Sequence, residues 1–277
     1  MLYICGTPIG NMEDMTLRAI RILGEVDLIA AEDTRQSVKL LNHFDIKTPL
    51  TSYYEHNKEV KGPQLINMLK AGKDIALVTD AGMPGISDPG EDLVKLCYEN
   101  DIDVTIVPGP TAVITALVLS GLNTRSYIFE GFLPKGKKQR VEVLSRLKGE
   151  TRTTVFYEAP HHLLNTLNDI YKYAGDREIA VERELTKRHE TVNKGKISDV
   201  IAYFEENEPK GEFVIVLNGA DPEEIKAEEM SKINEMSILD HFNSYVAQGL
   251  DEKSAMKQVA KDRGIGKRDV YAELKKN

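Results

Sequence analysis

Short apolar runs alternate with amphipathic stretches through the first part of the chain. Continuous apolar runs predict buried strands at 2–5, 28–31, 50–53, 75–78 and 104–107, of which the third is the weakest. Apolar positions at helical spacing predict helices at 16–23, 35–44, 91–99 and 112–119. Strands that are apolar throughout, each followed by a helix, are typical of a parallel sheet covered on both faces.

The second part of the chain predicts another α/β domain and then a group of helices. Strands are expected at 127–130, 153–157, 179–182 and 213–217, in a mixed sheet. Helices are expected near 138–148, 161–173 and 197–206. The charged stretch 220–232 is expected to be a linker, and helices follow it at 238–247, 252–263 and 267–276. The predicted domains are therefore 1–112, 113–220 and a helical segment at 233–277.

Composition places the chain among ordinary folded proteins. Its 277 residues favour two domains, and 41% hydrophobic with 29% charged residues is usual for a globular chain. Cys5 and Cys97 lie far apart without the spacing of metal ligands, so we expect buried free thiols in a reducing compartment and no metal. Because the chain shows neither a secretory leader nor an apolar run approaching about 18 residues, we expect a cytoplasmic protein without a membrane span.

The charge distribution is uneven. A net charge of −8 argues against a general nucleic-acid binder, but a binding surface needs only a local excess of positive charge. Basic clusters occur at 135–140 and 187–189, and residues 253–277 carry eight Lys or Arg against three Asp or Glu. This last segment fits either docking to RNA or a basic helical face exposed to solvent.

Two loops that follow predicted strands carry candidate chemistry, since ligands of parallel sheets bind beyond the carboxyl ends of the strands. The loop 6–11 (GTPIGN) would allow close approach of a ligand to the backbone, although a plain tight turn explains it equally well. After the second strand, Arg35 could hold a phosphate, and Glu32 or Asp33 could accept a proton. The alternative there is a helix start capped by Asp33 or Thr34.

Two further loops complete this edge of the predicted sheet. The stretch 79–90 holds three glycines, two prolines and two aspartates, and it is longer than an ordinary connection of an α/β unit. Such a loop can present backbone donors and acceptors to an adenine and a ribose. The loop 108–112 (PGPTA) begins a helix, whose first N–H groups are free to bind a ligand.

Together these loops resemble those of the tetrapyrrole-methylase superfamily and, within it, the ribosomal RNA small subunit methyltransferase I family. The resemblance covers about the first 220 residues. The matching segments are 7–11 (TPIGN), 31–35 (AEDTR), 80–90 (DAGMPGISDPG), 108–112 (PGPTA), 156–161 (FYEAPH) and 183–187 (RELTK). The loop 9–11 is poorer in glycine and proline than in tetrapyrrole enzymes, which favours the RNA branch.

The resemblance implies an α/β fold class: two α/β domains with a cofactor cleft between them, as in the tetrapyrrole methylases, plus a small helical C-terminal segment. It implies a homodimer that uses S-adenosylmethionine to methylate the ribose 2′-oxygen of a cytidine in small-subunit (16S) ribosomal RNA, free or in the assembled subunit. It also implies a set of cofactor-binding residues, two of them from the second domain. They are Pro8, Asp80, Gly82, Ile86, Ser87, Asp88, Pro108, Thr111, Ala112, Glu158 and Leu185.

A ribose hydroxyl is a poor nucleophile, so a general base near it would help the transfer. Glu32, Asp33 and Glu158 are the candidates because each follows a strand at the expected cleft. Candidates for substrate binding are Arg35, His56, Asn57 and Lys187, each with a solvated or packed surface role as the alternative. Two other functions stay open: a tetrapyrrole methyltransferase with the same cofactor, and a non-catalytic ribosome-assembly factor.

Overall fold

The computed structural model describes residues 1–276, except for the side chain of Glu229. Residues 1–145 and 152–218 form one compact unit, and residues 146–151 with the chain from Gly219 onward form another. The larger unit contains two sheets, which define two lobes. We call residues 1–111 the first lobe and residues 112–145 with 152–218 the second lobe.

The first lobe contains five parallel strands, as the apolar runs predict, and the structure gives their order as β3-β2-β4-β1-β5. The strands are β1 (Leu2–Cys5), β2 (Leu28–Ala31), β3 (Leu50–Ser52), β4 (Ile75–Val78) and β5 (Val104–Val107). The helices that alternate with them are α1 (Leu17–Glu25), α2 (Thr34–His43), α3 (Lys58–Lys70) and α4 (Gly90–Glu99). Helix α3 was not predicted, because Gly62 and Pro63 interrupt its pattern of apolar positions.

Two hydrophobic clusters cover the two faces of this sheet. Alternate strand residues such as Ile29 and Ala76 pack under α1 and α2. Their neighbours, such as Ala30 and Ile75, pack under α3 and α4. Strands β1 and β4 lie side by side, and the chain leaves them toward opposite faces of the sheet. Their carboxyl ends therefore form a topological switch point, which is where open α/β sheets bind ligands.

The second lobe begins with α5 (Ala112–Leu119), which packs on the second sheet through Val113, Ala116 and Leu117. Its strands are β6 (Tyr127–Phe132), β7 (Thr153–Glu158), β8 (Glu178–Arg183), β9 (Thr191–Lys196) and β10 (Phe213–Leu217). Its other helices are α6 (Lys137–Arg146), α7 (Leu163–Ala174) and α8 (Ile197–Glu206), with a short 3₁₀ turn at Pro160–His162. Another 3₁₀ turn, at Leu147–Gly149, belongs to the smaller unit. The first lobe has one such turn, at Met12–Asp14.

The second sheet is mixed, as predicted, with the order β6-β7-β10-β8-β9. Strands β6 and β7 are parallel, and the remaining pairs are antiparallel. Strand β9 was not predicted, because this edge strand is largely polar and has only one apolar residue, Val192. The antiparallel pairing matters for the site, since it brings the start of β10 to the end of β7.

The smaller unit contains helices α9 (Pro222–Glu235), α10 (Ile238–Ala247), α11 (Glu252–Arg263) and α12 (Lys267–Leu274). The expected linker at 220–232 is wrong, because α9 occupies most of that stretch. Asp221 caps this helix and Pro222 opens it, while its Glu, Lys and Ala residues favour helix without creating an apolar stripe. The core of the unit includes Val259 and Val270. Between residues 1 and 276, no helix has the length and apolarity needed to cross a membrane.

Candidate functional site

The loops after β1, β4 and β5 meet at the switch point. The backbones of Thr7 and Gly82 bond to each other in both directions, at 2.9 and 3.1 Å. Gly82 has a φ of +83°, which favours glycine. A Cβ placed on Gly6 would lie 2.8 Å from the Cα of Gly109, so the first and fifth strands can bring their loops together only with a glycine at position 6. Three of the four loops singled out in the sequence therefore form one structure.

The long loop 79–90 is held closed by Asp88. Its carboxylate accepts hydrogen bonds from the backbone N–H groups of Gly85, at 2.9 Å, and Gly90, at 2.7 Å. Burial raises the pKa of Asp88 above its usual value, although these two donors oppose the shift. Ser87, beside it, has a φ of +67°. This conformation is unusual for a residue with a side chain, and such strain clusters at functional sites.

The loop after β2 joins the same edge through carboxylates. Asp80 accepts a hydrogen bond from the backbone N–H of Asp33 at 3.0 Å, and Glu32 accepts one from the hydroxyl of Thr79 at 2.5 Å. Partial burial, with the nearby charges of Glu32 and Asp33, raises the pKa of Asp80. A raised carboxyl pKa indicates an environment that disfavours the charged form of the group.

These loops and the facing edge of the second lobe enclose a cavity of about 470 Å³, which we call the acidic cavity. Eight of the eleven predicted cofactor residues line it: Asp80, Gly82, Ile86, Ser87, Asp88, Thr111, Ala112 and Glu158. Its carboxylates belong to Glu32, Asp80, Asp88, Glu158 and Glu212. Within the described residues, no Lys, Arg or His lines this cavity. The acidic cavity therefore suits a ligand that carries positive charge.

The other three predicted cofactor residues lie near the acidic cavity without lining it. Pro8 lines an adjacent cavity of about 350 Å³ that also contacts Asp80. Leu185 is buried in the cluster that joins the two lobes. A Cβ on Gly10 would lie 2.7 Å from the carbonyl oxygen of Leu185, so the loop after β1 packs closely against the loop after β8. Pro108 lies exposed at the end of β5.

Glu158 closes the acidic cavity from the second lobe, at the end of β7. Its buried carboxylate accepts hydrogen bonds from the backbone N–H of Ala159 at 2.8 Å and from the hydroxyl of Thr166 at 2.5 Å. Thr166 in turn accepts a hydrogen bond from the guanidinium of Arg140, which is also paired with Asp169 at 2.7 Å. The network fixes the Glu158 side chain at the wall of the cavity.

Asp33 does not line the acidic cavity. Its carboxylate caps α2 and binds the guanidinium of Arg35 through both oxygens. The side-chain hydrogen bonds from Arg35 hold the pKa of Asp33 at about 2. Such a carboxylate is a weak base at neutral pH, so the helix-cap alternative describes Asp33 better than the catalytic one.

The predicted substrate residues lie outside the acidic cavity and do not form one group. Arg35 is highly exposed, and His56 is exposed with an edge contact to Tyr54. Asn57 holds its own loop through hydrogen bonds with Ser52 and the Tyr54 backbone. The ammonium of Lys187 is paired with Glu184 at 3.0 Å and Glu212 at 2.7 Å. Their substrate roles stay predictions, and this pairing of Lys187 weighs against a phosphate-binding role.

Several lining residues of the acidic cavity were not predicted as site residues, among them Phe132, Tyr157 and Glu212. Phe132 at the end of β6 has 58% of its surface exposed and contacts the ring of Tyr157 at 5.6 Å. An aromatic residue at the end of a strand is the feature that could have indicated this position. Glu212 precedes β10, and it reaches this edge only because β10 runs antiparallel to β7. The rule that ligands bind at carboxyl ends cannot find such a residue.

Possible metal ligands and the two cysteines are the other groups with potential chemistry. The structured part of the chain, 1–276, contains no group of three or more His, Cys, Asp or Glu side chains placed to hold a metal ion. Cys5 and Cys97 are free thiols, as predicted, and burial raises their pKa values to about 12 and about 11. A buried thiol with a raised pKa is a poor nucleophile.

Comparison with known proteins points to one family. The sequence model of the Tetrapyrrole (Corrin/Porphyrin) Methylases matches residues 1–201. Among curated proteins, the chain is 49% identical to ribosomal RNA small subunit methyltransferase I of Halalkalibacterium halodurans, over 98% of this chain and 93% of the relative. It is 47% identical to the protein of that name from Synechocystis, over 98% of this chain and 96% of the relative.

A solved structure of the same fold is cobalt precorrin-4 methyltransferase, a cobalamin biosynthetic enzyme. It superposes with a TM-score of 0.59 over 78% of this chain and 94% of that chain, at 18% identity. At this identity the likeness concerns the fold alone. The superposition confirms the predicted fold class. The identity of 47% and 49% to the two curated relatives shows which branch of the family the chain is most similar to. The chain belongs to the tetrapyrrole methylase family and, within it, to the ribosomal RNA small subunit methyltransferase I proteins.

Proposed function

We propose that this protein transfers a methyl group from S-adenosylmethionine to the ribose 2′-oxygen of a cytidine in small-subunit (16S) ribosomal RNA. The observation that carries the proposal is the acidic cavity, which the strand-end loops of the first lobe and the edge of the second lobe enclose. Support for the RNA substrate comes from the names of the curated relatives, which cover nearly the whole chain. The position of the methylated oxygen comes from the resemblance of the sequence motifs.

The residues of the acidic cavity fit the methyl donor in size, charge and polarity. A volume of about 470 Å³ lies within the range of roughly 300–1,000 Å³ that is usual for small-molecule sites. Five carboxylates suit a ligand with a sulfonium and an ammonium group, and Ile86, 45% exposed, offers an apolar contact to an adenine. When bound, S-adenosylmethionine supplies an electrophilic methyl group on its sulfonium sulfur.

The protein's own residues position the donor and keep it away from water. Asp80 and Ser87 offer oxygens for hydroxyl or ammonium groups, and Asp88 keeps their loop closed. Thr111 makes no side-chain capping bond with α5, and Thr111 and Ala112 line the acidic cavity at the start of that helix. We assign Pro8, Pro108 and Leu185 the role of fixing the backbone around the cavity, because none of the three lines it.

Glu32 is the strongest candidate for the general base. Only one of its two carboxylate oxygens accepts a hydrogen bond among the described residues, from Thr79. Both oxygens of Glu158 are engaged, which leaves that side chain better suited to orienting a ligand than to accepting a proton. Asp33 is the weakest of the three candidates for the general base, because its pKa of about 2 makes it a poor proton acceptor. Arg35 and His56, both exposed, stay as candidates for contact with RNA.

A homodimer is proposed from an apolar surface on α5. This helix has an almost uninterrupted apolar sequence, AVITALVL, and only one of its faces packs on the second sheet. The other face exposes Ile114, Val118 and Leu119, with Val118 at 68%. Helices that are hydrophobic all round are normally buried, so we propose that a second copy of the chain covers this face. Val118→Asp should convert the dimer to a monomer in light scattering, and a Val60→Asp control, also 68% exposed, should not.

The partner that fits this function is the small ribosomal subunit or its RNA, which would place the protein in the cytoplasm. The direct test incubates the protein with unmodified small subunits and with naked ribosomal RNA, using methyl-labelled S-adenosylmethionine. We expect label on a ribose 2′-oxygen of a cytidine in at least one substrate. Label on a base, or on neither substrate, would defeat the ribose assignment. Label on a tetrapyrrole precursor alone would favour the other branch of the family.

A further inference from the structure

A second cavity, of about 1150 Å³, opens on the second lobe where β6 and β7 end and α7 begins. Its lining includes Lys135, Arg140, His161 and Asn165. We call it the basic cavity. None of the curated relatives' names, and none of the motifs of the first lobe, assigns it a role.

The basic cavity adjoins the acidic cavity. Phe132, Glu158 and Ala159 line both. A molecule lying in the basic cavity would therefore lie beside the cavity where the methyl group is expected. Phe132 stands at this junction with more than half of its surface exposed, and Tyr157 supports its ring from one side at a centroid distance of 5.6 Å.

A basic stretch of the chain begins at the wall of the basic cavity, where Lys135 lines it, and continues with Lys137 and Lys138. Residues 133–141 include Lys135, Lys137, Lys138 and Arg140 and no acidic residue. The three lysines are exposed, and none of them has a carboxylate partner in the described part of the chain. Arg140 differs, because its pairing with Asp169 and Thr166 makes it part of the wall. In a chain with a net charge of −8, such a local excess of positive charge points to an anionic ligand.

The floor of the basic cavity offers polar groups that are also without partners. Asn165 is exposed on α7, and its amide makes no hydrogen bond among residues 1–276. The rings of His161 and His162 lie 4.1 Å apart, tilted by 48°, at the start of the same helix. An amide with free donors and acceptor can recognise the edge of an unpaired base, and aromatic rings can stack on its face.

We propose that the basic cavity binds a segment of single-stranded RNA beside the ribose that is methylated. The base next to the target would stack on Phe132, Asn165 would contact a base edge, and the three lysines would hold phosphates. The proposal rests on the proposed function, since it places the RNA relative to the methyl donor. A volume above the usual range of about 300–1,000 Å³ for small-molecule sites favours a polymer segment over a single metabolite.

The test measures RNA binding and donor binding separately on the full-length protein. The RNA probe is a fluorescent oligocytidylate, followed by anisotropy at several salt concentrations, and S-adenosylmethionine binding is followed by calorimetry. The variants are the triple substitution of Lys135, Lys137 and Lys138 by Ala, and Asn165→Ala. The matched controls are Lys95→Ala and Asn67→Ala, two exposed residues on α4 and α3. Melting curves check that every variant is folded.

We expect the triple variant to reduce the slope of log affinity against log salt by about 2, because each phosphate contact with a single strand contributes about 0.7. Asn165→Ala should weaken RNA binding about five- to tenfold, as expected for the loss of one or two hydrogen bonds. Donor affinity should not change in either variant, and the controls should match the wild type.

Unchanged RNA affinity and salt slope in both variants would overturn the proposal. Normal binding of the oligonucleotide with weakened binding of whole small subunits would also overturn it, in favour of a ribosomal-protein partner. Failure of the proposed function looks different. In that case, the wild type would bind RNA through this cavity but would bind no donor, or would transfer no methyl group.

Discussion

The acidic and basic cavities share three lining residues and differ in the elements that build them and in their charged groups. Loops pressed together at glycines form much of the acidic cavity, and carboxylates are its only charged groups among the described residues. Residues at the ends of β6 and β7, Arg140 of α6 and the first turns of α7 line the basic cavity, and its lining lysine, Lys135, has no carboxylate partner among the described residues. The contrast matches a cationic methyl donor on one side and a polyanionic strand on the other. It also explains how a protein with a net charge of −8 can act on RNA.

Glu182 lines neither cavity and shows how burial changes the charge of a carboxyl group. This residue of β8 is fully buried, and neither of its oxygens has a hydrogen-bond partner. Burial, with a smaller effect from Glu190, raises the pKa of Glu182 to about 8. It is therefore mostly neutral at pH 7.

The largest expected effect concerns stability and Glu182. Its pKa is about 8 in the folded protein and about 4.5 in the unfolded chain, so the folded state holds the proton more tightly. Folding stability is therefore full below about pH 4.5 and falls as the pH rises to about 8, by up to about 5 kcal/mol. Glu182→Gln should remove this fall in denaturant titrations between pH 5 and pH 9.

Glu178→Gln is the matched control for Glu182, because Glu178 lies on the same strand, half exposed and paired with Lys194. It should leave the pH dependence of the unfolding free energy close to that of the wild type. Parallel profiles for the wild type and Glu182→Gln would mean that Glu182 is not the buried neutral acid described above.

The next effect concerns the charge of the acidic cavity. Asp80→Asn keeps an acceptor for the backbone N–H of Asp33 but removes the negative charge. Charged hydrogen bonds contribute about 1.5–3 kcal/mol, so we expect S-adenosylmethionine to bind roughly 10- to 100-fold more weakly in calorimetry. Asp74→Asn, which affects only a pair with the N-terminus, is the control. Unchanged donor affinity in Asp80→Asn would refute the charge argument.

The pKa of Asp80 adds a pH dependence to the same measurement. Because partial burial raises that pKa, Asp80 takes up a proton at a higher pH than an ordinary aspartate does. Donor affinity should therefore weaken as the pH is lowered into the acidic range, and the Asp80→Asn variant should lose this part of the dependence. Equal pH profiles for the two proteins would remove Asp80 from the binding site.

A smaller effect is expected at Phe132, where the two cavities meet. Phe132→Ala should raise the KM for RNA about tenfold, since stacking on one base contributes about 1–3 kcal/mol. Phe132→Tyr retains the ring and should restore most of the RNA affinity. If Phe132→Ala affected only the KM for the donor, the ring would belong to the acidic cavity alone.

The smallest effect is expected at Arg35. Its guanidinium is 88% exposed and already paired with Asp33, and exposed pairs contribute about 1 kcal/mol or less. Arg35→Ala should change RNA binding less than threefold in the anisotropy measurement. A loss above tenfold would return Arg35 to the RNA-binding surface and weaken the assignment of that role to the basic cavity.

The sequence predicts most helices and strands of both lobes, and the pattern is clearest for the strands of the first lobe. Each strand of the first lobe is a continuous apolar run because the sheet is covered on both faces, and parallel strands bring their loops to one edge. Eight of the eleven proposed cofactor residues follow from those loops and from Glu158. The polar edge strand β9, the helix α3 with its internal proline, and the solvated helix α9 lack such patterns and were missed.

The sequence also does not show which side chains are already paired in the folded protein. The sequence shows that Lys187 and Arg35 are basic, but not that carboxylates of Glu212 and Asp33 already engage them. It shows Glu158 after a strand, but not the hydroxyl of Thr166 that fixes it. The basic cluster at 135–140 was visible, yet only the fold brings it to a cavity beside Phe132.

A crystal structure of the protein with S-adenosylmethionine tests the central claim most directly. We expect the adenosine between Ile86 and Thr111, the sulfonium among the carboxylates of the acidic cavity, and the methyl group open toward Phe132 and the basic cavity. A donor bound elsewhere on the molecule, or a methyl group facing away from the basic cavity, would contradict this division of roles between the two cavities.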